Sequence, residues 1–189
     1  PFSDFMRHRQ HHPNGTEQVL GMMSRVLGNY SYDSQRPEGS FDDFVYLSQV
    51  LQSHCMGAST ANFRRKRSTP GAYTSGALYW QLNDAWQAPS WATTEYGGPW
   101  KLSHYALARL FAPLALTLVR DPGGSVQAHA VVDSLLGGAD SSTALLRVTA
   151  WAWDGAPLGS QPDAKVELRP HSAVLAGAWR EADLLGTAS

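Results

Sequence analysis

The chain has little of three things that would quickly define a protein's class: cysteine, net charge and long apolar runs. Its one cysteine, Cys55, excludes an internal disulfide and any cysteine-based zinc site within the chain. Val50, Leu51 and Met56 around it predict a buried, inert thiol. The formal net charge is −1, with 16% charged residues, so no electrostatic attraction to nucleic acid or an anionic membrane is expected. The basic run Arg64-Arg65-Lys66-Arg67 is too short to alter that. It reads as a solvated helix end complementing the helix dipole. No stretch approaches the roughly 20 apolar residues of a membrane helix, so no membrane partner is expected. Pro1-Phe2-Ser3-Asp4 lacks the charged-then-apolar layout of a secretion signal, and with no methionine at Pro1 a leader upstream stays open.

Carboxylates and metal ligands are sparse as well. The glutamates are Glu17, Glu38, Glu95, Glu167 and Glu181. Arg7-His8-Arg9-Gln10-His11-His12 gathers histidines, but its arginines would repel a cation and no carboxylate lies at ligand spacing, so neither a metal nor another cofactor is expected. No internal repeat or low-complexity tract occurs. A 43% hydrophobic content is that of a globular protein.

What the chain does have is aromatic density between Gly76 and Trp100, where four of its seven tryptophans lie. Ala77 to Leu82 is a short apolar run that predicts a buried strand, with Gly76 before it and Asn83-Asp84 after it. Beside that strand end Trp80 offers a flat apolar face, and Asn83 and Asp84 offer acceptors. A polyhydroxylated ring needs that pairing, because its C–H groups stack on an indole while its hydroxyls bond short polar side chains. From the residues alone a second reading stays open, in which Trp80, Trp86, Trp91 and Trp100 simply fill a core.

Gly76-Ala-Leu-Tyr-Trp-Gln-Leu-Asn-Asp84, followed by Trp86, Ser90-Trp91, Glu95-Tyr96-Gly97-Gly98 and Trp100-Lys101, resembles the signature around the last barrel strand of the β-mannosidases. These are a branch of the glycoside hydrolase family that also holds β-galactosidases and β-glucuronidases. Arg9-Gln10-His11-His12, Tyr46-Leu47-Ser48-Gln49-Val50, Phe63-Arg64-Arg65, His104-Tyr105 and Phe111-Ala112-Pro113 resemble the same group in the same order. The likeness runs from about Arg9 to at least Trp153. It implies that His8, His11 and His12 lie near a barrel mouth, where they shape a sugar site or form a structural hydrogen-bonding cluster.

A complete (β/α)8 barrel takes roughly 250 residues, so a chain of 189 cannot contain one. The resemblance implies residues 1–112 as the last βα part of a TIM barrel. Within them, Thr16 is placed to cap a helix running to Leu27, with Val19, Leu20, Met23, Val26 and Leu27 on one face and Gly28-Asn29 as its stop. Ser40-Phe41-Asp42-Asp43 reads as a capping box opening a helix with Phe44, Leu47, Val50, Leu51 and Cys55 at helical spacing. Trp100 to Phe111 reads as a further helix ended by Pro113.

Beyond Pro113 the period becomes two, over Leu114–Val119, Val126–Val132, Leu146–Ala152 and Val166–Leu168, with glycine-rich turns between. Residues 113–189 are expected to form an immunoglobulin-like β-sandwich, incomplete because four or five strands fall short of the usual seven or so. More polypeptide, from the same chain or a companion, is the expected partner.

The resemblance implies a retaining exo-β-mannosidase acting on a β-mannoside or oligosaccharide, with its two catalytic glutamates at positions before Pro1. No catalytic residue is therefore expected here. Glu95-Tyr96-Gly97 matches the group's loop after the strand and not its nucleophile motif, so Glu95 is read as a loop carboxylate. The substrate-binding candidates are Trp80, Asn83, Asp84 and Trp86, with Asp84 suited to hydrogen bonding or loop anchoring and not to catalysis. Alternatives are a sister enzyme (exo-glucosaminidase, β-galactosidase) or a non-catalytic carbohydrate-binding or structural glycoprotein. Asn14-Gly15-Thr16 and Asn29-Tyr30-Ser31 are glycosylation triplets. With the resemblance they point to the secretory pathway, lysosomal or extracellular.

Overall fold

The computed structural model describes residues 4, 8, 12–28 and 37–186, apart from the side chains of 37–39. Helix α1 spans Gly15–Leu27 and α2 spans Pro37–Arg65, the latter about 44 Å long at 1.5 Å per residue. A short 3₁₀ turn, Lys66–Ser68, follows, and α3 spans Leu102–Leu110. Then come strands β1 (Leu114–Arg120), β2 (Ser125–Val132), β3 (Ser142–Trp151), β4 (Pro157–Leu168) and β5 (Ser172–Arg180), and a last short helix α4 (Glu181–Leu185).

Both long helices start earlier than their sequence signals. In α1, Asn14 precedes the first turn in the left-handed region with φ 54° and Thr16 already lies inside, so Thr16 is not the cap. The stop at Gly28 stands, with φ 84°. Of the expected apolar face only Met23 is buried, while Val26 and Leu27 are exposed. Helix α2 begins at Pro37, three residues ahead of the Ser40 box; proline suits a first turn, where its missing N–H has no partner to lose. Cys55 is exposed, contrary to expectation. Leu51, one turn earlier, is buried, so the covered stripe of α2 does not extend as far round as Cys55. Helix α3 packs along α2 near Gly57, where an added Cβ would stand 3.5 Å from Leu110.

No barrel strand forms among the described residues. Ala77–Leu82, expected as a buried strand, belongs to no ladder, and Leu78 and Leu82 are exposed. A parallel strand is held by a neighbour on each side, and among the described residues this one is paired on one side alone and at its end alone, where Gln81 O and Leu82 O accept from Thr93 and Thr94 N–H. Only two isolated bridges fix its continuation, Asn83 with Thr94 and Thr94 with Trp100.

The strands form two antiparallel sheets, β1-β2-β5 and β3-β4. Ala128, Ala130 and Val132 of β2 face Leu146, Val166 and Leu168 across the gap, making one apolar core joined by Val174, Ala176 and Trp179. Strand β5 is an addition to the strands expected from periodicity. It pairs with β2 through a bulge at Ala128/His129, and the ring of Trp179 lies so close over Gly177 that a Cβ there would meet it at 2.3 Å. Strand β1 pairs with β2 in a register that sets Leu114, Leu116 and Leu118 opposite Val132, Ala130 and Ala128, on the core-facing side. These three leucines are nevertheless exposed. The two-stranded second sheet does not reach far enough to cover them.

The helical and β parts meet at the end of α2. Arg64, read from sequence as part of a solvated run, is buried: it donates to the carbonyls of Leu110 and Ala112 and pairs with Asp133. Arg67 pairs with the same carboxylate at 2.5 Å.

Candidate functional site

The segment Gly76–Trp100 runs outward from beside α3, and its tryptophans stand on the surface. Trp80 is 73% exposed, Trp86 60%, Trp91 72% and Trp100 54%. In this chain none of the four fills a core. The peptide bond after Trp80 is cis. A cleft lined by Ala77, Leu78, Tyr79, His104, Leu107 and Phe111 separates the start of the segment from α3.

Beneath the exposed indoles lies a polar framework. Thr93 N–H donates to Gln81 O at 3.3 Å, Thr94 N–H to Leu82 O at 3.0 Å, Asp84 N–H to Thr94 O at 3.0 Å and Lys101 N–H to Thr93 O at 2.9 Å. Ala92, Thr93 and Ser103 are fully buried at its centre. The Thr93 hydroxyl reaches Leu82 O at 3.3 Å and His104 Nδ1 at 3.0 Å, and the His104 ring lies 4.3 Å from that of Trp100.

Asp84 and Lys101 are each 6% exposed. Lys101 Nζ stands 2.8 Å from Asp84 Oδ2, the Ser90 hydroxyl donates to Asp84 Oδ1, and Lys101 Nζ lies 3.4 Å from Ser90 Oγ. From α2, Gln52 Nε2 donates to the carbonyls of Ser90 and Trp91 at 3.1 and 3.3 Å, and Gln49 Oε1 accepts from Leu102 N–H at 3.1 Å. Asn83 is exposed, its side-chain amide donating to Asp84 O at 3.2 Å. The four sequence candidates thus divide: Trp80, Asn83 and Trp86 face outward, and Asp84 turns inward to an ion pair.

Sequence reasoning gives no role to Lys101, Ser90 or Gln52. The signal available is a lone lysine set among aromatics in a chain poor in charge. Glu95 lies exposed in a loop turned by Gly97 and Gly98, both at positive φ, with its own N–H on Pro99 O at 2.8 Å. Asn14 is exposed beside the start of α1. Asn29 lies outside the described residues, as do Arg7 and Arg9–His11. His8 Nδ1 sits 2.8 Å from Asp4 O and His12 is exposed. Among the described residues no three His, Cys, Asp or Glu side chains gather at a metal-holding distance, and no helix is long and apolar enough to cross a membrane.

This arrangement of helices against a two-sheet β unit is that of a segment of known glycoside hydrolases. It superposes on the β-D-mannosidase of Dictyoglomus thermophilum with a TM-score of 0.71 at 22% identity, covering 90% of this chain and 19% of that one. It likewise superposes on the exo-chitosanase of Amycolatopsis orientalis with a TM-score of 0.65 at 16% identity, covering 83% of this chain and 17% of that one. In sequence, 125 residues are 46% identical to the β-mannosidase of Rattus norvegicus, covering 64% of this chain and 14% of that protein. Over that share the chain is homologous to the β-mannosidases, as its motifs imply. It spans about 14% of the length of the curated relatives it matches. No protein-family model matches it.

Proposed function

We propose that this chain is part of a retaining exo-β-mannosidase-like glycoside hydrolase and supplies the wall against which the terminal sugar binds. The observation that carries the reading is the exposure of Trp80 and Trp86 around Asn83, over a buried polar framework. Indole faces offered to solvent beside an exposed amide are what a sugar ring uses, by C–H stacking and hydroxyl bonding. In this role Trp80 is the platform, Asn83 and Trp86 flank it, and Asp84 contributes from below by anchoring the loop.

The retaining mechanism needs a nucleophile and an acid/base carboxyl group about 5 to 5.5 Å apart. We assign both to polypeptide outside this chain, from the same protein or a companion. Residues 1–112 would then be the last βα part of a TIM barrel and 113–189 the start of an immunoglobulin-like sandwich. The exposed inner row of Leu114, Leu116 and Leu118 supports a sandwich that needs more strands. The glycosylation triplet at the exposed Asn14 supports passage through the secretory pathway, to a lysosomal or extracellular destination.

The likeness in fold to an exo-chitosanase favours exo-β-glucosaminidase as the second reading. Assaying the full-length polypeptide on aryl β-mannoside, β-glucosaminide and β-galactoside separates the possibilities. Preference for the mannoside is the expected result. Preference for the glucosaminide selects the second reading, and no hydrolysis of any of the three would leave a non-catalytic carbohydrate-binding protein.

A further inference from the structure

We propose that the buried Asp84 and Lys101 and the half-buried Ser90 form a positioning triad whose task is to hold Trp80 in register for the sugar. The inference rests on the wall reading above, and it assigns Asp84 to the underside of the wall, away from sugar hydroxyls.

Three observations carry it. First, both carboxylate oxygens of Asp84 are engaged, Oδ2 by the Lys101 ammonium at 2.8 Å and Oδ1 by the Ser90 hydroxyl, with 6% of the residue exposed. A buried carboxylate held by an ammonium and a hydroxyl resists displacement, because moving it strands two charges away from water.

Second, the triad sits at the root of the framework that leads to Trp80. Lys101 N–H binds Thr93 O, Thr93 N–H binds Gln81 O, and Thr94 binds Leu82 and Asp84 through their backbones. Gln81 is the neighbour of Trp80, so the backbone leaving the indole is tied within one residue to the strip that Lys101 holds. Third, a separate element grips the same root: Gln52 of α2 donates to the carbonyls of Ser90 and Trp91. The indole itself is 73% exposed. Its placement therefore depends on the backbone below it, in the way that a supporting shell fixes a binding group.

The test is a mutant cycle in the full-length polypeptide on an aryl β-mannoside, using Trp80→Ala, Asp84→Asn, Ser90→Ala and the corresponding pairs. All are assayed at a temperature where circular dichroism reports native fold. If the triad acts through Trp80, Asp84→Asn lowers kcat/KM by roughly ten- to a hundredfold alone but by about threefold or less once Trp80 is already alanine. Ser90→Ala keeps the ion pair and should show the same non-additivity with a smaller factor, so it decides the matter if Asp84→Asn does not fold. An undiminished factor in the Trp80→Ala background would make Asp84 an independent sugar contact and overturn the proposal. Unchanged kcat/KM with a lowered Tm would make the triad merely structural and would overturn it equally. Wild-type activity for Trp80→Ala would remove the wall reading itself and the triad's role with it. A Trp80→Ala defect without one in Asp84→Asn or Ser90→Ala overturns the triad alone.

Discussion

Arg64, at the end of a 29-residue helix, holds Asp133, the residue that follows β2, with Nη2 2.6 Å from Oδ2. Its guanidinium also covers the carbonyls of Leu110 and Ala112 at the end of α3, where helix geometry leaves acceptors without partners. One buried side chain therefore joins two helices to the β part. Arg64→Met strands both carbonyls and leaves Asp133 to Arg67 alone, and should cost about 2 to 4 kcal/mol. Asp133→Ala should cost about 1 kcal/mol, since that side chain is 44% exposed and water can replace part of the pairing. Urea midpoints for the two variants check the order, and equal losses would contradict a junction centred on Arg64.

His129 gives stability a direction with pH. Burial, and then the nearby Arg65 charge, hold its pKa below the ordinary value of 6.5. The unfolded chain thus binds this proton more readily than the folded one, so as pH falls below about 6.5 protonation favours unfolding and stability declines. Replacing His129 with Gln should flatten that decline between about pH 7 and pH 5. Arg65→Gln should shrink it. Denaturation midpoints across that range, with wild type and variants declining in parallel, would contradict the assignment.

The exposed inner row of β1 predicts how the 189-residue chain behaves alone. Leu114, Leu116 and Leu118 offer an apolar strip on an edge strand, a surface prone to self-pairing. The isolated chain should associate with rising concentration by light scattering, and Leu116→Lys should reduce that association. It should not hydrolyse aryl β-mannosides. Turnover abolished by mutating Glu17, Glu38, Glu95, Glu167 or Glu181 would place the chemistry here after all.

Asn14 sits exposed in its glycosylation triplet. In native material from a secreting host, intact mass before and after glycan removal should differ by at least one glycan at Asn14 or Asn29. Identical masses would remove the secretory argument.

The parts of this fold legible in sequence are those set by local period. Leu114–Val119 and Val126–Val132 alternate because each sheet face is distinct, and α3 lies within the helix expected over Trp100–Phe111. Strand β5 lacks such a signal because Ala173–Ala178 is mostly small residues, and its place is set by pairing with β2, a partner far back in the chain. Ala77–Leu82 reads as a strand and is not one, since an apolar run says nothing about whether neighbours exist to pair with it. The inward turn of Asp84 and the burial of Arg64 depend on Lys101 and Asp133, partners far along the chain. Composition marks Arg64 as solvated for the same reason: tertiary pairing has no local signature. The four tryptophans are exposed in this chain, and that too depends on what packs beside them, which the residues alone leave open.

The central claim, that Trp80 is a sugar platform, is tested most directly by Trp80→Ala in the full-length polypeptide, with kcat/KM on an aryl β-mannoside and Tm measured on the same preparation. Losing the stacking face should lower kcat/KM by roughly thirty- to a thousandfold, or about 2 to 4 kcal/mol of transition-state stabilisation. Because the side chain is 73% exposed, Tm should hardly move. Near-normal kcat/KM with a collapsed Tm, the signature of an emptied core site worth about 3 to 5 kcal/mol, would contradict the claim.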